Sequence, residues 1–228
     1  MSRSNVWHSA TLVADARARN LGKEWLTQQL YHNIHEPFTL LPAVSYDDQD
    51  DFVQFDFQAS DQPFTCIEQM QYTWPGTVQM FRRLVESNMQ AVIFHNHVEM
   101  ASSFINWLQG HFVEANRFIL VMRQVEHDEA HVCDPVQKHQ HYMSWYCVVS
   151  PTHILLRFVS HISHLFRGND GFVSVDEIAA VRDIDITGIQ DEDHKVAYVR
   201  REVFRRGKAD LLSWRQHFMD LMHQTAIN

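Results

Sequence analysis

Between Thr77 and Val132 apolar side chains recur in alternating steps of four and three: Met80, Leu84, Ala91, Phe94, Val98, Ala101, Ile105, Leu108 and Phe112, with polar Ser87 also in the series. A chain with 3.6 residues per turn converts such spacing into one buried seam. Thr77 follows Pro75-Gly76 and suits an N-cap, and Gly110 offers a stop, so the spacing predicts a helix over 77–109. A second helix is expected over 111–132, with Ala115, Phe118, Val121, Met122, Val125 and Val132 on its inner face.

The flanking segments are read around that hairpin. Trp7, Ala10, Ala14, Ala18, Leu21 and Trp25 predict a first helix over 6–31. VQFDFQA (53–59) and FTCIEQMQYTW (64–74) alternate apolar and polar residues, as two half-buried strands of an antiparallel hairpin would. Glu68 falls on the apolar face of the second strand, which requires either an edge position or a partner. YMSWYCVV (142–149) has the aromatic and β-branched content of a third strand. Helices are expected over 151–167, from the Ser174-x-x-Glu177 capping box to Val181, over 191–206, and, after Gly207, over 209–225. The expected class is therefore α+β and mainly helical: a central helical hairpin (about 77–132), a small antiparallel β-hairpin and a C-terminal helical extension. The expected division is a helical core with its β-hairpin over 1–170 and a C-terminal helical subdomain over 171–228, packed as a single domain.

Composition narrows the function classes. With 228 residues, 45% of them hydrophobic, the chain can bury a substantial core. A net charge of −9 argues against general polyanion binding, which depends on neutralising phosphates. The first twenty residues lack the apolar core of a signal peptide, and no run approaches the roughly 18 apolar residues of a membrane span. A soluble cytoplasmic protein is expected. Cys66, Cys133 and Cys147 are odd in number and form no CxxC pair, so reduced thiols are expected rather than a disulfide framework or a thiolate zinc site.

Two clusters are candidates for chemistry. Among sixteen histidines, His95, His97 and Glu99 fall on the first expected helix, and Glu126, His127, Asp128, Glu129 and His131 on the second. Glu99 with Asp128-x-x-His131 has the spacing of a di-iron-like bundle site. At roughly 100° per residue, however, Glu99 lies about 140° from the seam at Phe94, and His97 only about 60° from it. The inward set is then His97, Glu86, Asp128 and Glu129, with His131 beside it, and the metal would be iron or zinc. The second cluster is basic: Arg200, Arg201, Arg205, Arg206 and Lys208, on a helix over 195–208 that would suit phosphate or an acidic partner.

A nucleophile elbow and a glycine-rich phosphate loop are both lacking, and RGNDGFVSVDEI (167–178) would place Phe166 and Gly168 where a calcium loop needs oxygen ligands. The leading reading is a cytoplasmic accessory or interaction protein, leaning away from an enzyme, with a protein partner and no membrane. A non-haem metal-binding protein using the acid and histidine cluster is the alternative. A nucleic-acid-associated protein using the basic helix is the third.

Overall fold

The computed structural model describes residues 10–44, 51–57, 64–88, 93–100, 103–149, 154–168 and 170–227. Strand β1 (Thr11–Leu12) leads into helices α1 (Ala16–His32) and α2 (His35–Phe38). Strands β2 (Phe52–Phe57) and β3 (Cys66–Trp74) follow, then helix α3 (Val78–Asn88) and strands β4 (Ile93–Met100), β5 (Ser103–Val113), β6 (Arg117–Gln124) and β7 (His127–Asp128). Strands β8 (Tyr142–Val149), β9 (Ile154–Ile162), β10 (Phe166–Arg167) and β11 (Gly171–Phe172) precede helices α4 (Val175–Val181) and α5 (Glu192–Ile227). Seven strands form one antiparallel sheet in the order β2-β3-β9-β8-β6-β5-β4.

The sheet has two covered faces. Leu30 of α1 and Ile34 pack on Ile119, Val121, Met143, Trp145 and Cys147. The alternate residues, Phe118, Leu120, Val148, Leu156, Phe158, Met70 and Tyr72, face α3 and α5 and meet Phe81 and Phe218. Phe118, Ile119 and Val121 are wholly buried, each worth about 1.5–3 kcal/mol in transfer free energy.

This architecture overturns the expected mainly helical class. Among the described residues of the stretch 77–132, only Val78–Asn88 is an α-helix, and β4, β5, β6 and β7 replace the helical hairpin. The physical cause is two-sided burial, which removes the alternation by which a strand is recognised and leaves a continuous apolar run such as Phe118–Met122. The same cause makes a strand, β9, of the segment expected to be a helix over 151–167. Inward polar residues on β5, Asn106, Gln109 and His111, further obscure the period of two. Other elements lie where the residues place them: β2 and β3 pair, Tyr142–Val149 is β8, and Ser174 and Glu177 form the reciprocal capping box of α4. The expected break at Gly207 is absent, and α5 runs through it as one helix of 36 residues.

Gly110 ends no helix. It lies in β5 opposite Val121, on the face that α1 covers, and a Cβ there would come within 2.7 Å of the Thr27 Cβ. The glycine is what lets α1 rest directly on the sheet, where the Trp145 indole N–H also donates to the Leu30 carbonyl at 3.0 Å. Gly110→Ala is expected to cost about 1–3 kcal/mol through overpacking, read as a lower urea midpoint at unchanged secondary-structure content. Wild-type stability in that variant would contradict the close approach.

Candidate functional site: a cavity between the sheet and the C-terminal helix

Helix α5 is fastened to the rest of the chain at two places. Near its start, Val199 packs with Phe64, Val175, Ile178 and Ala179, and Val203 adds to that cluster. Near its end, the Phe218 ring lies 5.1 Å from Trp74 and 5.0 Å from Phe81. The two anchor points are on the order of 28 Å apart along the helix axis. Between them the helix spans the sheet over Gly207 and Asp210, and a cavity of about 340 Å³ lies beneath.

The floor of that cavity follows from strand register. One cross-strand row runs Phe55, Glu68, Ser160, Ser144 and Met122 across β2, β3, β9, β8 and β6. The next row runs Met70, Phe158, Tyr146 and Leu120, and the row after it Tyr72, Leu156, Val148 and Phe118. A short polar stripe thus crosses an otherwise apolar floor. Glu68, Met70, Tyr72, Tyr142, Tyr146, Leu156 and Phe158 line the space. A smaller cavity of 100 Å³ adjoins it at Glu68 and Gly207 and extends toward Phe57, Phe64 and Arg182.

Glu68 lies on an apolar face, as its position in the alternation requires, and it has a partner: its Oε2 is 2.6 Å from the Ser160 hydroxyl, which donates to it. Strand β3 is interior to the sheet, so the edge explanation is excluded. Burial pushes the Glu68 carboxyl above its ordinary value, against the opposing pull of the Ser160 hydrogen bond and of Arg182. Burial likewise pushes the Tyr72 and Tyr142 hydroxyls up to about 12 and Tyr146 well above its ordinary value, so all three are neutral donors at physiological pH. The Tyr72 hydroxyl is buried with no hydrogen-bond partner among the described residues.

Gly207 carries a cost of about 1 kcal/mol relative to alanine in a helix interior. Its backbone is not in the left-handed region, and a Cβ would meet nothing closer than the Phe55 ring at 3.6 Å. Neither backbone geometry nor a close approach demands the glycine. What the missing side chain leaves is open space at the junction of the two cavities.

The residues expected to hold a metal do not converge. Glu86 is on α3 and pairs with Arg82 at 2.7 Å. His97 is on β4 opposite Asn106, and its side chain lies outside the described residues. Asp128, at β7, receives both guanidinium nitrogens of Arg19 at 2.7 and 2.6 Å, the Asn106 amide at 3.0 Å and the Ala130 N–H at 2.9 Å. The His131 N–H also donates to Asp128, while Glu129 accepts the Ala14 N–H at 2.7 Å. Among the described residues, no group of three or more His, Cys, Asp or Glu is placed to hold a metal ion, which corrects the metal-binding reading. A hollow of about 370 Å³ lies beside Asp128 and Glu129, but the carboxylates lining it there already hold the N-terminal segment.

The basic cluster is likewise engaged locally. Arg200 lies over the Phe57 ring and Arg201 over Tyr198. Arg205 pairs with Glu202 at 2.9 Å, and Arg206 donates to the Arg182 and Asp183 carbonyls at the end of α4. Lys208 is exposed on the next turn. Arg200 and Arg206 thus tie α5 to β2 and to the end of α4, whereas Arg201 and Arg205 contact residues of α5 itself. Among the described residues, no helix is long and apolar enough to cross a membrane.

No family model matches the sequence, and no curated protein matches it. Among solved structures, human STARD10 is similar at a TM-score of 0.42 and 7% identity, over 89% of this chain and 79% of that one. At that level nothing about function transfers.

The Asp128 node is structural, and its electrostatics give it a testable sign. Burial raises the Asp128 pKa, but hydrogen bonds from Arg19, Asn106 and the Ala130 N–H outweigh it and hold the carboxyl well below its ordinary value of 3.8. Its stabilising contribution is therefore complete above that ordinary value and is lost as pH falls toward the folded-state value. Asp128→Asn, which leaves the Arg19 guanidinium buried without its counter-charge, is expected to cost about 3–5 kcal/mol at neutral pH. Urea titrations from pH 7 to strongly acid pH should show that loss shrinking below about pH 4. A cost that is small, or that grows on acidification, would contradict the assignment.

Proposed function

We propose that this protein binds a small, largely apolar molecule between α5 and the face of the sheet that it covers. The observation that carries the reading is the 340 Å³ cavity, walled by Met70, Leu156, Phe158 and tyrosine rings. Its volume falls in the range of small-molecule sites, which are characteristically apolar with a few convergent polar groups. At roughly 30 Å³ per water-sized volume, the space admits a ligand on the order of ten to twenty non-hydrogen atoms. Two further features support the reading. The polar stripe of Glu68, Ser160 and Ser144 offers orientation within an apolar floor. Helix α5 is anchored by two clusters that flank the cavity, so its attachment does not depend on filling the space beneath Gly207 and Asp210.

The test uses the neutral fluorescent probe N-phenylnaphthylamine. Wild-type protein is expected to bind it saturably, and Gly207→Trp, which places an indole in the cavity, is expected to weaken binding at least about tenfold while the protein stays folded by circular dichroism. Val132→Trp, in the hollow beside Asp128, should leave binding unchanged. Unaltered probe binding by Gly207→Trp, or no saturable binding by the wild type, would overturn the proposal.

A further inference from the structure

The lining of the 340 Å³ cavity is unbalanced in charge. Among the described lining residues, Glu68 and Asp210 are acids, four of the others are aromatic, and none is Lys, Arg or His. The Tyr146 and Phe158 rings lie side by side, 4.4 Å between centroids, in the row next to Glu68. Two described cations lie close by. Arg182 lines only the smaller adjoining cavity, and Arg215 lies over the Tyr72 ring, 4.8 Å from its centroid, and pairs with Asp51.

A carboxylate set into an apolar floor is costly unless it is paired. Among the described residues the one hydrogen-bond partner of Glu68 is Ser160, at Oε2, and Oε1 is left to whatever enters the cavity. A carboxylate or phosphate on a ligand would meet two acids there, while Arg182, which lines the adjoining cavity, already acts on Glu68. A neutral hydroxyl would gain a charge-assisted hydrogen bond from Glu68 but no ion pairing. A protonated amine gains from both the carboxylate and the negative faces of the rings, the combination by which ammonium groups are recognised.

We infer that the cavity selects an apolar molecule bearing a protonated amine, with the ammonium against Glu68 Oε1 and the Tyr146 and Phe158 rings and with Asp210 at the mouth. This rests on the cavity being a binding site and adds to it the charge of the ligand. Glu68 supplies the fixed counter-charge, the rings supply the desolvated surface, and Ser160 holds the carboxylate in place.

Isothermal titration with naphthylmethylamine, naphthylmethanol and naphthoate at neutral pH separates the possibilities, since the three share a ring system and differ in head-group charge. The amine is expected to bind at least about tenfold more tightly than the alcohol, and naphthoate more weakly than either. Glu68→Gln, which keeps the shape of the side chain, should bring the amine close to the affinity of the alcohol, with a much smaller change in the alcohol itself. Asp210→Asn, at an exposed position, should weaken the amine alone by a few-fold. Equal binding of the three by wild-type protein, or a preference for naphthoate, overturns the inference whatever the variants do, as does a folded Glu68→Gln that keeps the preference for the amine. If N-phenylnaphthylamine and all three compounds fail to bind, the cavity reading itself falls. If the neutral probe binds and is lost in Gly207→Trp while the amine is not favoured, only the charge inference falls.

Discussion

Burial of one seven-stranded sheet on both faces is the constraint on which the rest of the molecule depends. The face toward α1 is closed tightly: Gly110 lets the helix backbone come down to Thr27, and the Trp145 indole is tied to the Leu30 carbonyl. The face toward α5 is closed at its margins, by the Val199 cluster at one end and the Trp74, Phe81 and Phe218 rings at the other. Between those margins the helix carries Gly207 where a larger side chain would fill the gap. One face therefore functions as a packed core and the other as a core with a space left in it.

The two buried carboxylates illustrate the same division. Asp128 is surrounded by donors from Arg19, Asn106 and two backbone N–H groups, and its pKa is driven down. Its charge is satisfied inside the fold, so the group joins α1 to β7 and has no capacity left for a ligand. Glu68 has one hydroxyl partner, and its pKa is driven up. Its charge is incompletely satisfied inside the fold, which is the condition under which a side chain remains available to something that enters. Glu126, Asp128 and Glu129, which cluster in the sequence, are consumed by the fold, while an isolated glutamate between Ile67 and Gln69 faces the cavity.

What was legible in the sequence tracks one-sided burial. Strand β2, with exposed alternate residues, shows its alternation, and β3 pairs with it in the expected hairpin. Ser174 and Glu177 announce α4 because a capping box is a local interaction that needs no tertiary context. Strands β5, β6 and β9 were hidden because helices cover both their faces, and a two-sided apolar run satisfies a 4-3 template as readily as a strand template. Gly110 and Gly207 read as helix stops because glycine is most often a local signal. Here one permits a close approach and the other leaves a void, and both facts belong to tertiary structure. Of the site, Glu68 was visible as an anomaly on an apolar strand face, whereas Tyr142, Tyr146 and Ser160 became its neighbours only through strand register.

The claim at the centre of this account is that the space under α5 is occupied by ligand and the opposite face of the sheet is not. Methyl-resolved NMR of the wild-type protein titrated with naphthalene measures this directly. The account predicts saturable shifts at Met70 and Leu156, beneath α5, and unchanged methyl signals at Leu30, Ile119 and Val121, beneath α1. Shifts confined to the α1 face, or spread evenly over both faces, would contradict it.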